Sequence, residues 1–204
     1  MQYILDYFAA LLLGSAILII SINTNDLASE NHSVLNGEML VQEMLIQTAY
    51  ILEGELRNMG VGIPEKQESV LSAGASSITF LYDLDRNGIA DTVSYYAGTP
   101  DELPGTQNEL DRPLYRRVNH DERQVVGSVT TFALRYLTRS GEVLTTPVIS
   151  TRLSEIHSVE ITMEVQNPYA ELRDKGSVQV GERDALYSSS LWQQTRLASQ
   201  NTRR

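Results

Sequence analysis

The stretch Asp83-Leu84-Asp85-Arg86-Asn87-Gly88-Ile89-Ala90-Asp91 is the part of this 204-residue chain whose side chains and spacing best fit a defined chemistry. Oxygen-bearing side chains fall at Asp83, Asp85, Asn87 and Asp91, positions 1, 3, 5 and 9 of the stretch, with Gly88 at position 6. That is the first part of a calcium loop of the D-x-[DN]-x-[DN]-G type, in which a hard cation gathers oxygens around a sharp glycine turn. The Ile89 carbonyl is a further candidate ligand. Position 12 holds Ser94 instead of a closing glutamate, and the loop joins strands instead of helices, so it is not an EF-hand. Two readings stand: a calcium loop, or a hairpin turn made of good turn formers with Asn87-Gly88 at its tip.

Other candidates for chemistry are sparse. His32, His120 and His157 are far apart in sequence and none has the H-E-x-x-H spacing of a zinc site. There is no G-x-S-x-G, no phosphate-binding loop and no dinucleotide fingerprint. Arg116-Arg117 is a basic pair on an acidic chain and reads as a sheet-face or partner contact. The sequence carries 26 Asp+Glu against 16 Lys+Arg, a net charge of -10, which disfavours a general nucleic-acid binder. Cysteine is absent, so disulfides, thiolate zinc sites and cysteine nucleophiles are excluded. The expectation is a structural protein and not an enzyme.

The elements that carry these residues begin with one long helix, expected over residues 1–59. Residues 3–22 form an apolar run of about 20 residues, enough at 1.5 Å per residue to span a hydrocarbon core of about 30 Å. No Lys or Arg precedes Arg57, and Ser-Ile-Asn is a poor cleavage site, so the run reads as a retained anchor instead of a signal peptide. With neither flank basic, charge bias does not orient it. Asp6 is the one charge inside the run. A carboxylate in mid-membrane costs roughly 2.5–3.5 kcal/mol on insertion scales, so it either reaches the headgroups or pairs with a group on a neighbour. Gly14-Ser15 is a small-residue pair of the kind that lets helices approach closely.

Residues 23–36 are polar and rich in poor helix formers; the helix either continues through them or melts locally. Beyond them Val41, Leu45, Ala49, Leu52, Leu56 and Met59 recur at three- and four-residue steps, an apolar stripe that must lie on a sheet. Gly60 and Pro64 supply the helix stop. The division expected is 1–22 transmembrane and assembly helix, 23–60 amphipathic stem, and 61–204 β-rich head. Within the head, strands are expected over 77–82, 92–97, 113–118, 129–137 and 158–165, from alternation between turn-forming residues. Residues 98–111 read as a polar loop, and 150–156 as a short helix capped by Ser150 with Leu153 and Ile156 inward. Residues 171–184 read as a loop, and 185–196 as a last strand carrying Trp192, the only tryptophan. The fold class expected is α+β, a long N-terminal helix packed on an antiparallel sheet.

In order, these segments resemble the type IV pilin-like proteins, specifically minor pilins and J-class minor pseudopilins. The resemblance runs from the apolar helix through Glu55-Leu56-Arg57-Asn58-Met59-Gly60, similar to the family's L-R-x-x-G helix end, to Ser77-Ile78-Thr79-Phe80. It continues through the acidic hairpin to Val93-Ser94-Tyr95, Leu114-Tyr115-Arg116-Arg117 and the strands of 129–137 and 158–165. The start differs: the family has a basic leader, a glycine cut site and a glutamate at mature position five, and here Asp6 stands near the glutamate's place. The resemblance implies a subunit of a type IV pilus-like filament or type II secretion-like apparatus, assembling with other pilin-like subunits through its helix. It implies a single-pass protein of the cytoplasmic membrane with its head outside the cytoplasm, in which Asp6 meets a neighbour's terminal amine. The alternative of another class is a membrane-tethered binding module or adhesin that does not polymerise.

Overall fold

In the computed structural model of the chain, residues 2–64, 67–106, 108–167, 171–174, 183–186 and 189–198 are described. Helix α1 (Gln2–Arg57) is unbroken for 56 residues, about 84 Å at 1.5 Å per residue. The polar stretch stays helical. Thr24 Oγ1 donates back to the Ile20 carbonyl at 2.8 Å, so its hydroxyl is satisfied within the helix instead of competing for a turn. Arg57 and Glu53 pair one turn apart, in the helical order that also suits the dipole. The helix stops as its sequence dictates. Gly60 takes a positive φ of 84°, a conformation glycine adopts without a Cβ penalty. Its N–H then donates to the Leu81 carbonyl at 2.8 Å.

The head opens with an antiparallel meander: β1 (Val70–Ala73), β2 (Ser77–Tyr82), β3 (Asp91–Ala97), β4 (Arg112–Val118) and β5 (Gln124–Val129), which form a five-stranded sheet in chain order. Downstream come β6 (Thr131–Leu137), β7 (Val143–Leu144), β8 (Ser158–Gln166), β9 (Glu171–Asp174), β10 (Arg183–Leu186) and β11 (Ser189–Ala198). A four-stranded sheet has the order β11-β8-β6-β7, and among the described residues β9 and β10 form a two-stranded sheet. The two larger sheets are stitched together near the β1–β2 turn. There Leu134 N–H donates to the Ala75 carbonyl at 2.8 Å, and Tyr136 Oη donates to the Gly74 and Ser77 carbonyls at 2.9 and 3.1 Å.

The α+β class is as expected, and one continuous core joins helix and head. Val41, Leu45, Ala49, Leu52, Leu56 and Met59 are all buried. They share that core with Ile78, Phe80 and Tyr82 from β2 and with Val159, Ile161, Met163 and Val165 from β8. On β8 the intervening Glu160, Thr162 and Glu164 are only half-buried, as a strand with one dry face requires. The helix approaches the sheet closely at Gly127 on β5. A Cβ there would lie 2.4 Å from Thr48 Oγ1 and 3.2 Å from its Cγ2.

Several expectations are corrected. Residues 129–137 are not one strand: Val129 ends β5, Thr130 is the turning point, and β6 starts at Thr131 in the other sheet. The Thr130 N–H donates to the Glu164 carbonyl at 2.9 Å, so the backbone bond that would extend β5 is redirected. Residues 171–184 are not all loop, since β9 and the start of β10 fall there. Ala185 belongs to β10, and the last strand runs from Ser189 to Ala198. Ser150 does not cap a helix. It is the first residue of a 3-10 turn (Ser150–Glu155) whose N-cap is Ile149. Leu153 and Ile156 are buried as expected. The 98–111 loop holds a 3-10 turn at Pro100–Glu102.

Candidate functional site

Three features carry chemistry or contact, and they lie along the path of α1. The first is its N-terminal half. The span Asp6–Asp26 is long and apolar enough to cross a membrane, and none of it is buried by the rest of the protein. Tyr3, Phe8, Leu12, Ile17 and Ile20 are among its large exposed apolar side chains. Asp6 is exposed too. An apolar surface of this extent exceeds what a monomer in water leaves uncovered. The outer face of the stem continues it: Met39, Ile46 and Tyr50, exposed at 68%, 67% and 80%, lie seven and four residues apart, on the side away from the buried stripe.

The second feature is the acidic loop between β2 and β3. The structure brings Asp83, Asp85 and Asp91 together, each offering a carboxylate oxygen within 4.8 Å of the others. The loop holds this shape by its own hydrogen bonds. Asp83 accepts the Asn87 N–H at 3.0 Å and the Gly88 N–H at 2.9 Å. Asp85 accepts the Asn87 N–H at 3.1 Å and the Asn87 Nδ2 at 2.9 Å. Asn87 Oδ1 accepts the Ile89 N–H at 2.7 Å. Asp91 accepts the Leu84 N–H at 3.0 Å and the Asn119 Nδ2 at 2.8 Å. Arg86 and Gly88 both take positive φ, 61° and 85°. Three carboxylates and an amide oxygen are a hard donor set, which suits a calcium-like cation in preference to a soft metal. Asn87 Oδ1 is also engaged by the backbone, so the geometry serves a turn as well as a ligand shell. The loop is tied to the helix end, because Asp83 N–H donates to the Val61 carbonyl at 2.9 Å. A Cβ at Gly62, where φ is 78°, would come within 2.5 Å of the Asp83 Cβ.

The third feature locks the stem to the sheet. Glu55 on α1 receives Arg116 from β4 through two-pronged bonds: Nε at 2.9 and 3.0 Å, and a second nitrogen at 2.5 Å. Tyr95 Oη from β3 donates to the same carboxylate at 2.6 Å. Both charged side chains are 16% exposed. Burial first, and then the Glu55 charge, push the Tyr82 and Tyr95 hydroxyls well above the usual phenol range. The hydrogen bond to Glu55 holds Arg116 more firmly protonated than an ordinary arginine. At neutral pH the two phenols of the cluster are therefore neutral and the guanidinium is charged, and the cluster clamps the stem to β3 and β4.

The remaining sequence candidates are scattered. His32 is exposed on α1 and His120 in the turn after β4. His157 is half-buried and lines an open groove of about 750 Å³ with Thr138, Ser140, Glu142, Ser154 and Glu155. Arg117 donates to the Asp121 carbonyl at 3.2 Å, so the two arginines of the pair have separate structural partners within the chain. Glu55 and Tyr95 were not legible as site residues. The signal for Glu55 was its position between Leu52 and Leu56 at the margin of the apolar stripe, where a charge needs a partner.

No family model matches the chain, and no curated protein matches it. Among solved structures it is similar to a type IV-like pilin from Thermus thermophilus, at 12% identity over 80% of this chain and 97% of that one, with a TM-score of 0.45.

Proposed function

We propose that this chain is a structural subunit, a minor pilin or pseudopilin, of a type IV pilus-like filament or type II secretion-like apparatus. The observation that supports it is the division of labour within one helix: residues 2–57 are continuous, the C-terminal part is buried on the head, and the apolar N-terminal part is uncovered. In this reading residues 1–22 are the membrane and assembly segment, 23–60 the stem, and 61–204 the head, held outside the cytoplasmic membrane. Other pilin-like subunits cover the apolar half once it leaves the bilayer. Asp6 then sits in an apolar bundle, where an unpaired carboxylate is costly, and a neighbour's terminal amine neutralises it.

The acidic loop belongs to the same reading as a calcium site, with Asp83, Asp85, Asn87, the Ile89 carbonyl and Asp91 as ligands. It joins the helix end to β2 and β3, so a bound cation stiffens the place where stem becomes head. The assembly reading is tested by photo-crosslinkers placed at Leu12, Ile46 and Leu71 in cells. Crosslinks from Leu12 and Ile46 to other proteins with N-terminal apolar helices are expected. Absence of protein crosslinks at Leu12 and Ile46 would support a tethered module that does not polymerise.

A further inference from the structure

Where β4 begins, the chain buries a carboxylate that neither the assembly surface nor the acidic loop uses. Asp111 is 1% exposed, and among the described residues neither of its side-chain oxygens has a hydrogen-bond partner. The register that sets Arg112 opposite Val129, continued by one residue, brings Asp111 to Thr130, where the chain passes from one sheet to the other. Polar groups of the same loop, of β6 and of the strand that Thr130 meets are bonded to one another. Asn108 Nδ2 donates to Gln166 Oε1 at 2.9 Å, Gln166 Nε2 donates to Glu164 Oε1 at 3.2 Å, and Thr131 Oγ1 donates to Glu164 Oε2 at 3.1 Å. The Asp111 N–H itself donates to the Asn108 carbonyl at 3.1 Å.

The charged groups on the elements around Asp111 are few. Asp101, Glu102 and Glu109 are exposed on the same loop, Glu102 paired with Arg123, and Arg112, next along β4, is half-buried with its Nε also unpartnered. Glu164 on β8 is already engaged, and β5 carries no charge. A carboxylate buried without donors is far costlier ionised than neutral. We propose that Asp111 is a pH-sensitive latch on the seam between the two sheets: neutral, it fits the closed seam, and ionised, it loosens the junction of the 98–111 loop, β4 and β8. This stands on the seam alone and does not depend on the assembly reading.

The direction follows from linkage. Burial raises the Asp111 carboxyl in the folded protein above its ordinary value. Its contribution to stability is therefore full below the unfolded carboxylate pKa of about 3.9 and is lost as pH rises through the raised folded value. The experiment compares melting of the full-length protein in detergent from pH 4 to pH 8 with that of Asp111→Asn, which keeps the shape and cannot ionise. The variant is expected to gain on the wild type as pH rises, by at least about 2–4 °C at the upper end, the shift that about 1 kcal/mol produces in a chain of this size. A difference that stays constant across pH overturns the latch. Should Asp111→Asn fail to fold, the carbon-13 carboxyl signal of Asp111 in the wild type decides instead. Titration above the ordinary aspartate range upholds the proposal, and titration within it refutes it. Whatever calcium does to both proteins through the acidic loop, the difference between Asp111→Asn and the wild type is expected to follow the same course with pH in calcium and in a chelator. A pH dependence that calcium abolishes would make Asp111 a cation ligand and end the latch proposal.

Discussion

At the residue scale the Glu55–Arg116–Tyr95 clamp ties the stem to the sheet through charge-assisted hydrogen bonds. Its partners are 61 and 40 positions apart in the chain, which is why no spacing argument pairs them. Arg116 read as half of a basic pair, and only the antiparallel register of β3 with β4 places it beside Tyr95 and over the stem. Removing one partner strands the other in a largely dry site. Arg116→Ala is therefore expected to destabilise the head by about 3 kcal/mol, read as a lower denaturant midpoint. Arg116→Lys recovers only part of this, since an ammonium lacks the planar fork. At the acidic loop the spacing did foretell the cluster: Asp83, Asp85 and Asp91 do converge. Spacing alone left turn and metal site undivided, because the same oxygens serve both. Calcium is expected to raise the melting temperature of the wild type and to leave Asp85→Asn nearly unmoved. A wild type indifferent to millimolar calcium would leave the loop a turn.

At the element scale the helix was the most legible part of the chain, because its stripe repeats at the helical period over several turns. Its two faces make opposite predictions. Leu52 is fully buried, so Leu52→Ala is expected to cost about 2–5 kcal/mol of head stability. Ile46 lies on the outer face, and Ile46→Ala is expected to stay within about 0.5 kcal/mol in the isolated subunit. Both are read by chemical denaturation. The contact of stem with β5 is a second test. Gly127→Ala drives a Cβ into Thr48 and is expected to cost about 1–3 kcal/mol, with Thr48→Ala restoring most of it in the double variant. The strand boundaries were harder. VTTFALRYL, residues 129–137, reads as one strand in sequence, and what splits it is the Thr130 bond to Glu164 on a strand 34 residues away; the rest of β5, residues 124–128, does not read as a strand at all. β9 and β10 were missed because their residues are charged and lack an apolar alternation, so only pairing with each other defines them. β7 has just two residues, too short for any period to register.

At the scale of the whole molecule, a head with a complete core sits on a helix whose first half has none. The energetic consequence is that the apolar half must always be covered, by lipid or by other helices. In the proposed assembly Asp6 is the group expected to distinguish the two environments, since a neighbouring helix terminus would offer it a partner that lipid does not. This division was legible from the sequence because it depends on composition and length alone, whereas the seam at Asp111 depends on two sheets meeting and left no trace in the local pattern. The most direct measurement is affinity purification of the full-length protein in mild detergent, wild type beside Asp6→Ala, with partners identified by mass spectrometry. Several other proteins with N-terminal apolar helices are expected with the wild type and are expected to be lost from Asp6→Ala. A wild type recovered as a monomer without such partners would contradict the filament-subunit account.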